Sequence, residues 1–259
     1  GNSCLEFNTT GSSNIGVGTG ALFVNTTGSG NTALGMNTLL SNTTASNNTA
    51  VGYAALTLNT TATGNTALGQ GSAGAVTTSP SNTCIGNGAG AAISTGAGGN
   101  VCVGYQAGDT ITTGTNNIVI GHTSDTASAT SVQSITLGNG TIVALRCQVQ
   151  SISALSDRRD KKDIKDLDVG LDFINTLHPV KFTWNMRSGD KVDIKEAGFI
   201  AQELDESQNK FDAEEYLQLV LKDNPEKLEA AMGKLIPSMV KAIQELSAKV
   251  TELEDKLNG

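Results

Sequence analysis

The chain has 259 residues, of which 38% are hydrophobic and only 4% aromatic, and it carries a net charge of −8. An ordinary globular core of this length needs more large apolar groups, and an acidic balance argues against nucleic acid as a partner, because phosphate contacts need basic patches. The first half holds too few charges for a disordered chain, which leaves a repeat fold that stacks small side chains. No signal peptide and no apolar run of membrane-spanning length is found, so no membrane insertion is expected. The chain begins at Gly1 without Met, which reads as a fragment of something longer. Cys4, Cys84, Cys102 and Cys147, with only His122 and His178 beside them, show no metal-ligand spacing, so neither a metal nor a cofactor is expected.

Residues 1–140 are a repeat. Asn14-Ile-Gly-Val-Gly18, Asn31-Thr-Ala-Leu-Gly35, Asn48-Thr-Ala-Val-Gly52, Asn65-Thr-Ala-Leu-Gly69 and Asn82-Thr-Cys-Ile-Gly86 open it, and Asn100-Val-Cys-Val-Gly104, Asn117-Ile-Val-Ile-Gly121 and Ser134-Ile-Thr-Leu-Gly138 complete it. The last glycines step by 17 residues, with a single step of 18 between Gly86 and Gly104. A short fixed period predicts a stacked solenoid. Val17, Leu34, Val51, Leu68, Ile85, Val103, Ile120 and Leu137 form a column of large apolar residues, each preceded by a smaller or β-branched one. Strand neighbours point to opposite faces, so each coil should give a large group to one interior and a small group to another surface. The Asn column should stack into a ladder. A second apolar position at Leu22, Leu39 and Leu56 shrinks to Ala73 and Gly90, and predicts a second short strand per coil. Such a thin coil buries little alone, which suggests that several chains share an interior around one axis.

Three signals in this region carry little weight. Asn8, Asn25, Asn42 and Asn59 begin Asn-Thr-Thr sequons, but their 17-residue spacing marks a repeat position. Gly86-Asn-Gly-Ala-Gly90 echoes a phosphate loop with no helix after it. Cys84 and Cys102 share a column and read as buried small residues rather than a disulfide. His122 reads as a loop residue. The repeats resemble the head repeats of trimeric YadA-like adhesins and of phage tail fibres, over about residues 12–140. That resemblance implies a parallel β-roll in each chain, with three rolls side by side.

Residues 141–155 read as strands that close the repeat. Composition then changes abruptly: residues 1–150 hold 25 of the 30 glycines and one basic residue, Arg146, whereas residues 151–259 hold 16 of the 17 Lys and Arg. At the joint lies Ser156-Asp-Arg-Arg-Asp-Lys-Lys162. A serine becomes a nucleophile when a base takes its proton, and a lysine serves if burial or the cations Arg158, Arg159 and Lys162 lower its pKa. Read alone, the stretch is more simply a solvated surface turn in which Ser156 caps a short helix.

Beyond the joint, Ile164 to Leu177 reads as a helix, Val180 to Trp184 as a strand, and Ala197 to Leu204 as a strand running into a helix or turn. Phe211, Tyr216, Leu219 and Val220 anchor the polar stretch 205–225. Ile236, Met239, Ile243, Leu246, Val250, Leu253 and Leu257 alternate steps of three and four, a coiled-coil seam over 236–257. Ile and Val at one seam position with Leu at the other favour two strands when taken alone, against a trimer.

The motifs Ser156-Asp-x-Arg159-x-Lys161, Leu177-x-Pro-Val-x-Phe-x-Trp184, Gly198-Phe-Ile-Ala-Gln202-Glu203 and Leu235-Ile-Pro before the seam resemble the endosialidase-type C-terminal intramolecular chaperone of phage tail spikes and fibres, over about residues 150–259. The resemblance implies a mainly β solenoid at 1–140, connecting strands at 141–155 and an α+β chaperone domain at 156–259 ending in the coiled coil. It implies a homotrimer and a single self-cleavage between Leu155 and Ser156 by a Ser156–Lys161 dyad. Asp157, Arg159, Gln202 and Glu203 are the supporting motif residues. The implied setting is a virion tail fibre that meets a host-surface glycan or protein receptor. A bacterial surface adhesin with a YadA-like head is the alternative. Such adhesins end in a membrane barrel, and the helical ending at Leu257-Asn-Gly259 therefore favours the viral reading.

Overall fold

The computed structural model describes residues 1–142, 144–146, 154–187, 189 and 191–258. The chain divides into two units, Gly1–Ile142 and Val143–Gly259.

The first unit is a parallel β-solenoid. Its strands are three residues each: β1 (Ile15–Val17), β2 (Thr32–Leu34), β3 (Thr49–Val51), β4 (Thr66–Leu68), β5 (Thr83–Ile85), β6 (Val101–Val103), β7 (Ile118–Ile120) and β8 (Ile135–Leu137). They form one sheet in chain order, with identical repeat positions in register, such as Ala33 opposite Ala50 and Leu34 opposite Val51. The 18-residue step leaves the register intact, with Cys84 opposite Cys102. The extra residue falls in a turn where Gly96 and Gly99 take φ of +77° and +74°.

The central strand residues Ala33, Ala50, Ala67, Cys84, Cys102 and Val119 are fully buried, and they share the coil interior with Ala21, Ala55, Ala89 and Ala107. The large column turns the other way: Val17, Leu34, Leu68, Ile85, Ile120 and Leu137 remain 37% to 52% exposed. The large residues, expected in an interior, therefore face out of the coil, and the small ones line the interior of the coil itself. A coil this narrow has room only for small groups at the strand.

The expected second strand is absent. Leu22, Leu39 and Leu56 are buried, but they sit in turns at φ +52°, +48° and +49°. Left-handed backbone costs an ordinary residue about 1–2 kcal/mol. Burial of each leucine offsets it, together with coil-to-coil bonds such as Leu39 N to Ala55 O at 3.1 Å. The glycine after each strand is obligatory: Gly35 takes φ +135°, and a Cβ there would lie 2.7 Å from the carbonyl oxygen of Gly52.

Two asparagine ladders run up the coil. In the first, the backbone N–H of each Asn donates to the side chain one coil earlier, as in Asn48 N to Asn31 Oδ1 at 3.0 Å and Asn117 N to Asn100 Oδ1 at 3.0 Å. In the second, Asn25 Nδ2 donates to Asn8 Oδ1 and Asn42 Nδ2 to Asn25 Oδ1, both at 2.7 Å, and Asn59 Nδ2 donates to Asn42 Oδ1 at 2.9 Å. Asn25, Asn42 and Asn59 are three of the four sequon residues and are fully buried, whereas Asn8 at the end of the ladder is partly buried. Their amides hold the coils together.

Past Asn59 the filling of the coil changes. Val76, Ile93 and Ile111 occupy the second ladder's column and are fully buried. In the same coils Leu56 gives way to Ala73, Gly90 and Gly108. A Cβ on Gly90 would lie 2.9 Å from Ile93 Cδ1 and 2.5 Å from Cys84 Sγ. Apolar bulk has moved from one corner of the coil to another. The ladder stops there, and Asn59 Oδ1 is left buried without a partner. Cys84 and Cys102 are free thiols. The adjacent Cys102 thiol and burial push the Cys84 thiol well above its usual value.

The second unit contains α1 (Leu171–Ile174), a hairpin of β9 (Val180–Asn185) and β10 (Val192–Gly198), α2 (Ala201–Lys210), α3 (Glu214–Leu217), the short pair β11 (Val220–Leu221) and β12 (Glu229–Ala230), and α4 (Ile236–Asn258). Val169, Phe173, Leu204, Leu217, Leu219, Val220 and Leu235 form its core. Gln208 is buried among them, and its Oε1 accepts the Leu219 N–H at 2.9 Å. The helix expected over 164–177 shrinks to Leu171–Ile174. Asp163 takes φ +53°, and a Cβ on Gly170 would collide with the Glu245 carboxylate. That carboxylate caps α1 by accepting the Leu171 N–H at 2.7 Å. Tyr216, expected as an anchor, is half exposed and donates to Asp168 Oδ1 at 2.8 Å. Burial, then that carboxylate, push its hydroxyl up to about 12.

Pro237 is the second residue of α4, where its missing N–H is an unpaired donor in any case. The strands expected over 141–155 do not appear at residues 141, 142, 144–146, 154 and 155, and the rest of that stretch lies outside the described residues.

Candidate functional site

Ser156 lies at the start of a tight reversal. Asp157 adopts extended backbone and caps a single 3-10 turn, Arg158–Asp160, by accepting the Arg159 N–H at 2.8 Å. The Lys161 N–H closes the turn on the Arg158 carbonyl at 3.2 Å. The cap is therefore Asp157, not Ser156. With its hydroxyl uncommitted to the turn, Ser156 meets the lysine that the turn brings back. Lys161 Nζ donates to Ser156 Oγ at 2.7 Å.

Arg159 folds onto the capping residue, with Nη2 at 2.6 Å from Asp157 Oδ2. This guanidinium holds the Asp157 carboxyl below its ordinary range. The pair fixes the turn and leaves the Ser156–Lys161 contact to itself. Ser156 and Lys161 are exposed, and Leu155, immediately upstream, is 84% exposed. Of the two expected means of tuning the lysine, burial or the neighbouring cations Arg158, Arg159 and Lys162, burial is not supplied among the described residues.

The other two motif residues lie elsewhere. Gln202 and Glu203 open α2, and Glu203 Oε2 pairs with His178 Nδ1 at 3.1 Å. Among the described residues neither hydrogen-bonds to Ser156 or Lys161. Glu245, which sequence reasoning missed, is the cap of α1. Its only sequence signal is an acid on the flank of a heptad helix, too common to single out. Among the described residues no His, Cys, Asp and Glu group has metal-binding geometry, and no helix is long and apolar enough to cross a membrane.

A parallel solenoid of short coils followed by an α+β unit defines a fibre-type repeat protein with a separate C-terminal domain. Residues 156–213 match the family described as Chaperone of endosialidase, a peptidase family associated with autoproteolytic self-cleavage. The match begins at Ser156, spans the first three motifs and ends before Leu235-Ile-Pro. No curated protein and no solved structure matches the chain. The family match and the solenoid before it fit a tail-fibre protein that carries an intramolecular chaperone domain.

Proposed function

We propose that the chain is a homotrimeric tail-fibre protein whose C-terminal domain aligns three chains, assists folding of the β-fibre and is then released by one self-cleavage between Leu155 and Ser156. The observation that carries this reading is the 2.7 Å contact of Lys161 Nζ with Ser156 Oγ at the first residue of the family match. The step requires Lys161 in its neutral form. Ser156 Oγ attacks the Leu155 carbonyl carbon and passes its proton to Nζ. The C–N bond breaks as that proton is delivered to the Ser156 nitrogen, leaving an ester between Leu155 and Oγ. Water hydrolyses the ester, restores the hydroxyl and gives a carboxylate on residues 1–155 and a free amine on Ser156.

Trimerisation is supported by two unpartnered apolar surfaces. One is the outward column of the solenoid sheet, six of whose eight residues are 37% to 52% exposed, and the other is the α4 seam, whose residues from Ile236 to Leu257 are 46% to 85% exposed. Such surfaces in a lone chain mark an interaction face. Identical repeats permit one-coil slips, and non-local parallel pairing is slow. A helical seam that forms first removes that ambiguity, and cleavage then makes unfolding hard to reverse. The fibre's role is adhesion to a host-surface glycan or protein.

The test is a set of variants followed on denaturing gels and by light scattering. Ser156→Ala and Lys161→Ala should stay whole and still give three times the chain mass of 26.6 kDa. Lys161→Arg should also stay whole, because arginine keeps its proton at working pH. Cleavage in Lys161→Arg, or a monomer throughout, removes the reading.

A further inference from the structure

On α4 the seam residues Ile236, Ile243, Val250 and Leu257 are a positions, and Met239, Leu246 and Leu253 are d positions. The flanking g positions are then Ala242, Lys249 and Lys256, and the e positions are Val240, Ser247 and Glu254. Most charges of the helix find partners within the chain. Lys241 lies 3.7 Å from Glu245, and Lys256 lies 2.5 Å from Glu252, both one turn apart. Ala242 and Ser238 are buried on the flank that carries α1. Among the described residues Lys249, Glu254 and Asp255 have no ion-pair partner, and of these Lys249 and Glu254 flank the exposed seam.

Their spacing has a geometric meaning. In parallel, in-register coiled coils a g residue faces the e residue five positions later on the neighbouring helix. Five positions after Lys249 is Glu254. Resting on the trimer reading above, we propose that Lys249 pairs with Glu254 of a second copy of this chain, and that this pair fixes the helices parallel and in register. An antiparallel neighbour would set g against g and e against e, and so bring lysine towards lysine and glutamate towards glutamate. A slip of one heptad could replace Lys249 by Lys256, but it would break the Lys256–Glu252 pair and uncover an a and a d side chain on each helix. The charges therefore set polarity, and the seam length sets the step.

The experiment uses the full chain carrying Ser156→Ala, so that α4 stays attached to the fibre. Lys249→Glu, Glu254→Lys and the double reversal are compared by hydrogen exchange of the α4 amides from Leu246 to Leu257. Each single reversal turns three attractive contacts into repulsive ones, for an increase in exchange of about 30-fold at low salt, shrinking at about 0.5 M salt. The double reversal should return exchange to within about 3-fold of the parent. Lys249→Gln, which removes attraction without adding repulsion, should fall between, and it covers a single reversal that fails to fold. Singles that exchange like the parent, or a double reversal that stays as fast as the singles, overturn the pair while leaving a trimer in place. A parent that light scattering finds monomeric instead overturns the trimer reading itself.

Discussion

The most informative substitution in the solenoid is Gly90→Ala, made alone and in a second background. Alone, it meets three penalties. Gly90 lies at φ +59°, where an alanine pays about 1–2 kcal/mol. Its Cβ would stand 2.5 Å from Cys84 Sγ and 2.9 Å from Ile93 Cδ1, inside a fully buried coil. Overpacking of this kind costs about 1–3 kcal/mol in addition. The chain already contains the remedy one coil earlier, where Ala67, Ala73 and Val76 fill the same three positions, with Ala73 at φ +50°. In a Cys84→Ala, Ile93→Val background the two clashes vanish and only backbone strain remains. That strain is partly offset by the stiffer unfolded chain, by about 0.4–1 kcal/mol. The coupling between Gly90→Ala and its background should therefore be about 2 kcal/mol, roughly a 30-fold difference in rate. Unfolding rates of the assembled chain at one guanidinium concentration measure it. If Gly90→Ala speeds unfolding equally in both backgrounds, the two ways of filling the coil are independent, and the compensation inferred from the geometry is wrong.

Other consequences follow from the same structure. Asn42→Ala should destabilise the solenoid by about 2–5 kcal/mol, because Asn25 Oδ1, the Ala45 carbonyl and Asn59 Nδ2 all lose a buried partner; an unfolding rate equal to the parent's contradicts the ladder. The Asp157 carboxyl is lowered by Arg159, so it favours the folded turn above about pH 4 and loses that effect as pH falls through the lowered value. Carboxyl NMR should find Asp157 titrating below the ordinary range, and Arg159→Ala should return it there. Glu245→Ala removes the cap on α1 and should cost about 1–2 kcal/mol in denaturant unfolding of the C-terminal domain. A gene ending at residue 155 should give an insoluble or misregistered fibre. A fragment that folds unaided into the same trimer would remove the chaperone role.

Much of the fold could be read from residue spacing. The glycine step gave the number of residues per coil, the Asn column gave the ladder, and the seam gave α4. What spacing could not give was direction. Ala33 and Leu34 alternate whichever of them faces inward, and only the narrowness of the closed coil decides that alanine does. The Leu39 column looked like a strand because apolar periodicity carries no information about φ, and the backbone there is left-handed. The helix expected over 164–177 had suitable leucines. The chain instead turns left-handed at Asp163, the helix begins only after Gly170, and that single turn relies on Glu245, far along the chain. At the candidate site the Ser156–Lys161 pairing was legible, because a five-residue step across one turn is local. Asp157's role as the cap was hidden by Ser156, an equally good capping residue beside it.

Ser156, as the proposed nucleophile of a single cut at its own peptide bond, is tested by N-terminal sequencing of the fragment released from the purified, folded chain without added protease. One new terminus is expected, beginning Ser156-Asp157-Arg158, in a fragment of residues 156–259. A different first residue, or a wild-type chain that stays whole after assembly, would mean that the contact between Lys161 and Ser156 only holds a turn.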